Sequence, residues 1–224
     1  MSNIIRLVFS LLLILQVSSA HAALIWDNNL TPDGFNGRAT SPPAFPDIRV
    51  TDDVSFTQSM TITEFHFTTV DDNGFNPSNL IEFYVYSNLA GQPDSLLNTI
   101  STSNFSRTAA GGTLFGRPVY NYSILGLNLD LTADTYWIGY RLSNASGSGT
   151  SWWMTSDGGP DGSSSSTGFF SLDSGNTWNA EGNGWHHAFT LYGEVPAPSS
   201  IPLITSFLFV ITLLRRLQNK SVKK

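Results

Sequence analysis

The sequence predicts an all-β fold, a β-sandwich of jelly-roll or Greek-key topology, and three observations predict it. Short runs of aromatic and β-branched residues are separated by clusters of Gly, Pro, Asn, Asp and Ser, the rhythm of strands and turns. Two stretches alternate strictly: Phe65 and Phe67 share a face against Glu64, His66 and Thr68, and Ile81, Phe83 and Val85 share one against Glu82, Tyr84 and Tyr86. Between the two termini there is no convincing amphipathic helix, and no fixed-period repeat that would suit a propeller or solenoid.

Taken in order, the chain opens on Met1–Ala22, with Arg6, an apolar run Leu7–Val17 and the small-residue site Ala20-His21-Ala22. That is the pattern of a cleaved secretory signal; an uncleaved N-terminal anchor is the alternative. Residues 23–194 form the exported domain. Ala23–Trp26 reads as the first strand. Asn28–Asp47 reads as a loop, because Pro42, Pro43 and Pro46 exclude a central strand there. Thr61–Val70 and Leu80–Ser87 are strands, separated by the turn Asp71-Asp72-Asn73-Gly74 and Pro77. Gly91-Gln92-Pro93 breaks the chain before a strand at Leu96–Phe105. Val119–Ile124 and Leu125–Leu131 are strand-like, with Gly126 between them as a bulge or turn. Thr135–Leu142 is the strongest strand pattern. Ser143–Thr150 is a polar loop, Trp152-Trp153-Met154 a short strand, Ser156–Thr167 a long loop, and Trp185–Gly193 the closing strand. That makes about nine to eleven strands.

Charge narrows the partners. All seventeen Asp and Glu of the chain lie between Asp27 and Glu194, and only Arg38, Arg49, Arg107, Arg117 and Arg141 accompany them. Seventeen carboxylates against five arginines leave this region at −12, compared with −6 for the whole chain. Such a surface disfavours nucleic acid and anionic lipid. With no cysteine, the domain rests on its core alone, and thiol chemistry is excluded.

The C-terminal stretch 195–224 has a different composition. It runs Val195-Pro196-Ala197-Pro198, then the apolar segment Ile201–Leu214, then Arg215-Arg216 and a tail with Lys220, Lys223 and Lys224. Its fourteen apolar-segment residues span about 21 Å as a helix at about 1.5 Å each, and counting Ser199 to Leu217 approaches the roughly 30 Å hydrocarbon core. The basic end holds the C-terminus in the cytoplasm and leaves the domain outside. This stretch resembles the PEP-CTERM sorting signal of exosortase-dependent bacteria. The resemblance implies export, transient retention in the inner membrane, processing by an exosortase near Pro196–Pro198, and delivery to the cell surface or an exopolysaccharide matrix. A plain uncleaved anchor is the alternative. The domain itself is similar to jelly-roll domains found ahead of such signals, through Phe83–Ser87 with Gly91-Gln92-Pro93, Thr135–Ile138, Trp152-Trp153, Gly175–Trp178 and Ala188–Gly193. Those domains mostly lack an assigned activity.

No catalytic motif is present: there is no Gly-x-Ser-x-Gly, phosphate-binding loop or His-Glu-x-x-His. His186 and His187 are strand neighbours that point apart and cannot chelate together, and His66 reads as a surface residue. Glu64, Glu82 and Glu181 cannot be paired across a cleft from chain spacing alone. Two binding chemistries remain. Trp152, Trp153 and Trp178 offer flat rings on which a pyranose can stack, although core packing is the commoner use of such rings. Trp152 and Trp153 point to opposite sides, so at most one is core. Asp71, Asp72, Asp157 and Asp161 lie at turns and offer oxygen ligands of the kind calcium takes; ordinary turn chemistry also explains them. The expectation is a non-catalytic exported surface or matrix protein with no required cofactor. A carbohydrate-binding module is the alternative, and a polysaccharide-modifying enzyme comes behind both.

Overall fold

A computed structural model describes residues 22–41, 47–77, 79–143, 149–156 and 167–195. Both termini, including the signal-like segment and Pro196 onward, lie outside the described residues, as do Asp157 and Asp161. Among the described residues there is no helix long and apolar enough to cross a membrane.

The described chain is all-β, with fourteen strands in two antiparallel sheets. They are β1 (Ala23–Asp27), β2 (Pro32–Ala39), β3 (Arg49–Ser55), β4 (Met60–Asp71), β5 (Leu80–Leu89), β6 (Gln92–Thr102), β7 (Phe105–Leu114), β8 (Arg117–Leu131), β9 (Thr135–Ser143), β10 (Ser151–Ser156), β11 (Phe169–Ser171), β12 (Asn179–Ala180), β13 (His186–His187) and β14 (Phe189–Glu194). Two of these correct the sequence reading. Pro32–Ala39 was expected within a loop but pairs with β10, its own prolines lying only at the strand start and beyond its end. Arg107–Leu114, small and polar, is a strand because it lies along β8. The expected bulge at Gly126 is present: the β4–β8 register jumps from Ile62↔Leu129 to Glu64↔Leu125, with Gly126 and Asn128 at φ 70° and 50°.

The first sheet is built on β4, whose partner along one side is β8, itself flanked by β7. The other side of β4 is shared: β14 pairs with Thr61–Phe67 and β10 with Thr69–Asp71. Ala188 makes the changeover, donating its N–H to Met154 O at 2.8 Å and accepting from Thr68 N at 3.2 Å. The closing strand is therefore two strands. Beyond them lie β1 on β14 and β2 on β10. The second sheet runs β12-β11-β3-β9-β5-β6.

The sheets meet through the alternating faces read from sequence. Phe65, Phe67, Tyr122, Trp153 and Phe189 from the first sheet meet Ile81, Phe83, Val85, Ile138 and Tyr140 from the second, all fully buried. The Phe67 and Tyr140 rings stack with centroids 3.7 Å apart, and Phe65 lies 5.2 Å from Phe83. Burial of this kind contributes roughly 1.5–3 kcal/mol per large side chain. Gly139 permits close packing beside this core, since a Cβ there would lie 1.9 Å from Val50 O and 2.7 Å from the Tyr84 ring. The opposite face of β5 is covered as well. Tyr84, Tyr86 and Trp137 pack under Phe169 and Trp178. The loop carrying Trp178 is organised by Asp173, which accepts from Ser171 Oγ, Thr177 N and Thr177 Oγ1. Those hydrogen bonds, the Ser171 hydroxyl first, lower the Asp173 pKa to about 2.

Candidate functional site

The structure separates the three tryptophans singled out from sequence. Trp153 faces the core at 0% exposure, edge-on to Tyr140 at 5.1 Å, with its Nε1–H donated to Ala188 O at 3.0 Å. It offers no face to a ligand, which overturns the expectation that a pyranose stacks on Trp153. Trp178 is half-buried against Tyr86, centroids 4.9 Å apart. Trp152, one residue along β10, points the other way as alternation requires and is half-buried on the outer face of the first sheet.

There Trp152 lines a groove of about 280 Å³ together with Asn36 and Gly37 of β2, Val70 of β4, Met154 of β10, and Phe115 and Arg117 at the β7–β8 turn. That turn has two residues, Phe115 and Gly116, between the paired Leu114 and Arg117. Both have positive φ, 55° and 73°, the backbone that a tight hairpin needs. Phe115 pays a steric cost of about 1 kcal/mol there, because its Cβ crowds the carbonyl. Its ring is 56% exposed at the groove. Arg117 lies over the Trp152 ring at 4.8 Å and is paired through Nε with Asp72. Sequence reasoning missed Phe115 and Arg117. The signal was the dipeptide Phe115-Gly116, visible as a hairpin turn only once the small, polar stretch before it is known to be a strand.

The acidic turn is spent on arginine. Asp71 is 1% exposed and accepts from Arg107 Nη2 at 2.6 Å and Nε at 3.2 Å, with Thr69 Oγ1 on its other oxygen at 3.0 Å. Asp72 holds Arg117 on one oxygen and accepts from Thr150 N at 3.2 Å on the other. Glu181, side chain 1% exposed, is chelated by Arg38, whose Nε donates at 2.6 Å. Glu82 lies 3.6 Å from Arg49 and 3.7 Å from Arg141, and Glu64 lies 2.8 Å from His66.

A second polar cluster lies inside. Asp52 interrupts the core face of β3 between Val50 and Val54, and is 0% exposed. It accepts from His187 N at 2.5 Å, Asp53 N at 2.9 Å and Asn28 Nδ2 at 3.3 Å, and His186 Nδ1 lies 3.4 Å away. Ligand atoms of Asp52, Asp53 and His186 fall within 4.8 Å of one another, close enough among the described residues to share a cation. Asp53 and His186 also make further contacts within the protein. His187 turns from His186 to stack on Trp153 at 4.4 Å, and burial pushes its imidazole pKa down. The sequence signal for this cluster was the Asp52 break in the alternation Val50, Val54.

No family model, curated protein or solved structure matches the chain.

Proposed function

We propose that this is an exported, non-catalytic surface or matrix protein, with a jelly-roll domain carried to the exterior and released from its C-terminal segment by an exosortase. The inner membrane holds the precursor, and the surface or extracellular polysaccharide receives the product. The jelly-roll reading is supported by the neighbour orders β2-β10-β4-β8 and β3-β9-β5-β6, in which successive strands from β2 to β5 alternate between the sheets.

The observation that carries the sorting reading is where the sheet ends. The last described strand, β14, lies between β1 and β4 and closes at Glu194, and Val195 is already 51% exposed. Cutting within Val195–Pro198 therefore leaves every described strand in place. Intact mass of the exported protein from hosts with and without an exosortase tests this. The expected mature chain ends near Pro198 only when the enzyme is present; an intact Arg215–Lys224 end on exported protein rules it out.

A second reading, carbohydrate binding, is favoured by the groove, where Trp152 and Phe115 bring two rings to one concavity. Retention of the chain on an extracellular polysaccharide matrix should be lost in Trp152→Ala and kept in Trp178→Ala, because Trp178 packs on Tyr86 away from the groove. Calcium is not needed for this reading, since Arg107 and Arg117 neutralise Asp71 and Asp72.

A further inference from the structure

Resting on the carbohydrate-binding reading, we propose that the groove between β2, β10 and the β7–β8 turn takes an uncharged hexopyranose polymer and rejects uronate-rich chains. Three observations carry this. The lining is mostly apolar, with the rings of Phe115 and Trp152 accessible above the buried Val70 and Met154, the surface that the C–H face of a neutral pyranose covers. Among the described residues, Arg117 is the only charged one in that lining. It is already matched by Asp72, and its guanidinium lies on the Trp152 ring. An incoming carboxylate would sit beside Asp72 and share with it a single cation, so that the second negative charge there is uncompensated. The third observation is the field around the groove: residues 23–194 carry −12, so a polyanion meets repulsion on approach at low salt. A neutral polymer meets neither cost.

The shape agrees. Gly37 forms part of the groove wall, and a Cβ there would lie 3.1 Å from Met154 Sδ and 3.2 Å from Trp152 Cβ. Phe115, held at positive φ on a two-residue turn, has a backbone already fixed where its exposed ring meets the groove.

Calorimetric titration of the full chain with two neutral polymers, hydroxyethylcellulose and galactomannan, and two uronate polymers, alginate and polygalacturonate, tests the proposal. The expected result is binding to a neutral polymer that changes less than about twofold between 0.05 and 0.5 M NaCl, because no ion pair forms. Phe115→Ala should weaken it about tenfold, the effect of removing an aromatic anchor. The Phe115 ring is exposed, so the variant should keep the wild-type melting temperature. Binding to the uronate polymers alone, weakening steeply with salt, overturns the neutral-polymer assignment and leaves the carbohydrate reading standing. Binding to none of the four overturns both. Neutral-polymer binding unaffected by Phe115→Ala and Trp152→Ala places the site elsewhere and overturns the groove.

Discussion

His187 shows how one buried side chain sets a pH limit. Its ring is packed on Trp153 at 1% exposure, and neither nitrogen has a hydrogen-bond partner. Burial is the main cause of its lowered pKa; Arg38 and His186 lower it further, and Asp52 and Glu181 pull against them. In the unfolded chain the imidazole takes a proton near pH 6.5, while the folded protein keeps it neutral. The unfolded state thus binds more protons just below that pH. Stability should be full above about pH 6.5 and fall with acidification, by up to about 1.4 kcal/mol per pH unit, until the folded pKa is reached. Denaturation midpoints from pH 8 to 5 should fall in wild type and fall less in His187→Phe, which keeps the stacked ring. Gly139 is a second single-residue constraint. With Val50 O at 1.9 Å from its Cβ position, Gly139→Ala must move a strand backbone, and should cost about 3 kcal/mol in urea denaturation. Trp153→Ala belongs with it: a loss of about 3–5 kcal/mol is expected there, so that variant reports on folding and not on ligand.

At the scale of elements, the β7–β8 hairpin joins stability to binding. Its turn needs positive φ at two positions, and Asn-Gly is the pair that adopts this at least cost. Phe115-Gly116 is not that pair. Phe115→Asn should raise stability by about 0.5–1 kcal/mol and abolish stacking at the groove, measured by thermal melts and by titration with hydroxyethylcellulose. A variant that gains stability and still binds would remove Phe115 from the site. The neighbouring strand explains why the hairpin was hard to read. From Thr108 to Thr113 the chain is Thr-Ala-Ala-Gly-Gly-Thr, with Gly111 and Gly112 at positive φ and a register break against β8. Such a strand has little apolar alternation of its own and exists because β8 offers it an edge.

For the molecule as a whole, charge is the property that sequence exposes and folding distributes. Residues 23–194 hold −12, but two arginines are placed on deeply buried carboxylates: Arg38 on Glu181 and Arg107 on Asp71, each partner with its side chain 1% exposed. What remains outside is nearly all negative and repels itself. Raising NaCl from 0.05 to 0.5 M should therefore raise the melting temperature by a few degrees, as screening acts on exposed charge and little on the buried pairs. A melting temperature that falls with salt would mean that exposed attractive pairs outweigh this repulsion.

Alternation in Thr61–Val70 and Leu80–Ser87 by itself determined which residues share a face, because a strand has only two, but not that Tyr84 and Tyr86 on the second face of β5 would be buried as well. The turn residues determined most breaks, and the opposite directions of Trp152 and Trp153 followed from adjacency alone. Local pattern could not decide which strands become neighbours. The pairing of Pro32–Ala39 with β10, the hydrogen bond from Thr68 to Ala188 where the closing strand splits and the meeting of Asp52 with His186 join positions more than a hundred residues apart. The groove has the same origin. Trp152 was visible as a ring without a place, and Phe115 as an unremarked residue before a glycine. Only the antiparallel return of β7 onto β8, and of β8 onto β4, carries one to the other, since contacts across a sheet depend on register and not on separation along the chain.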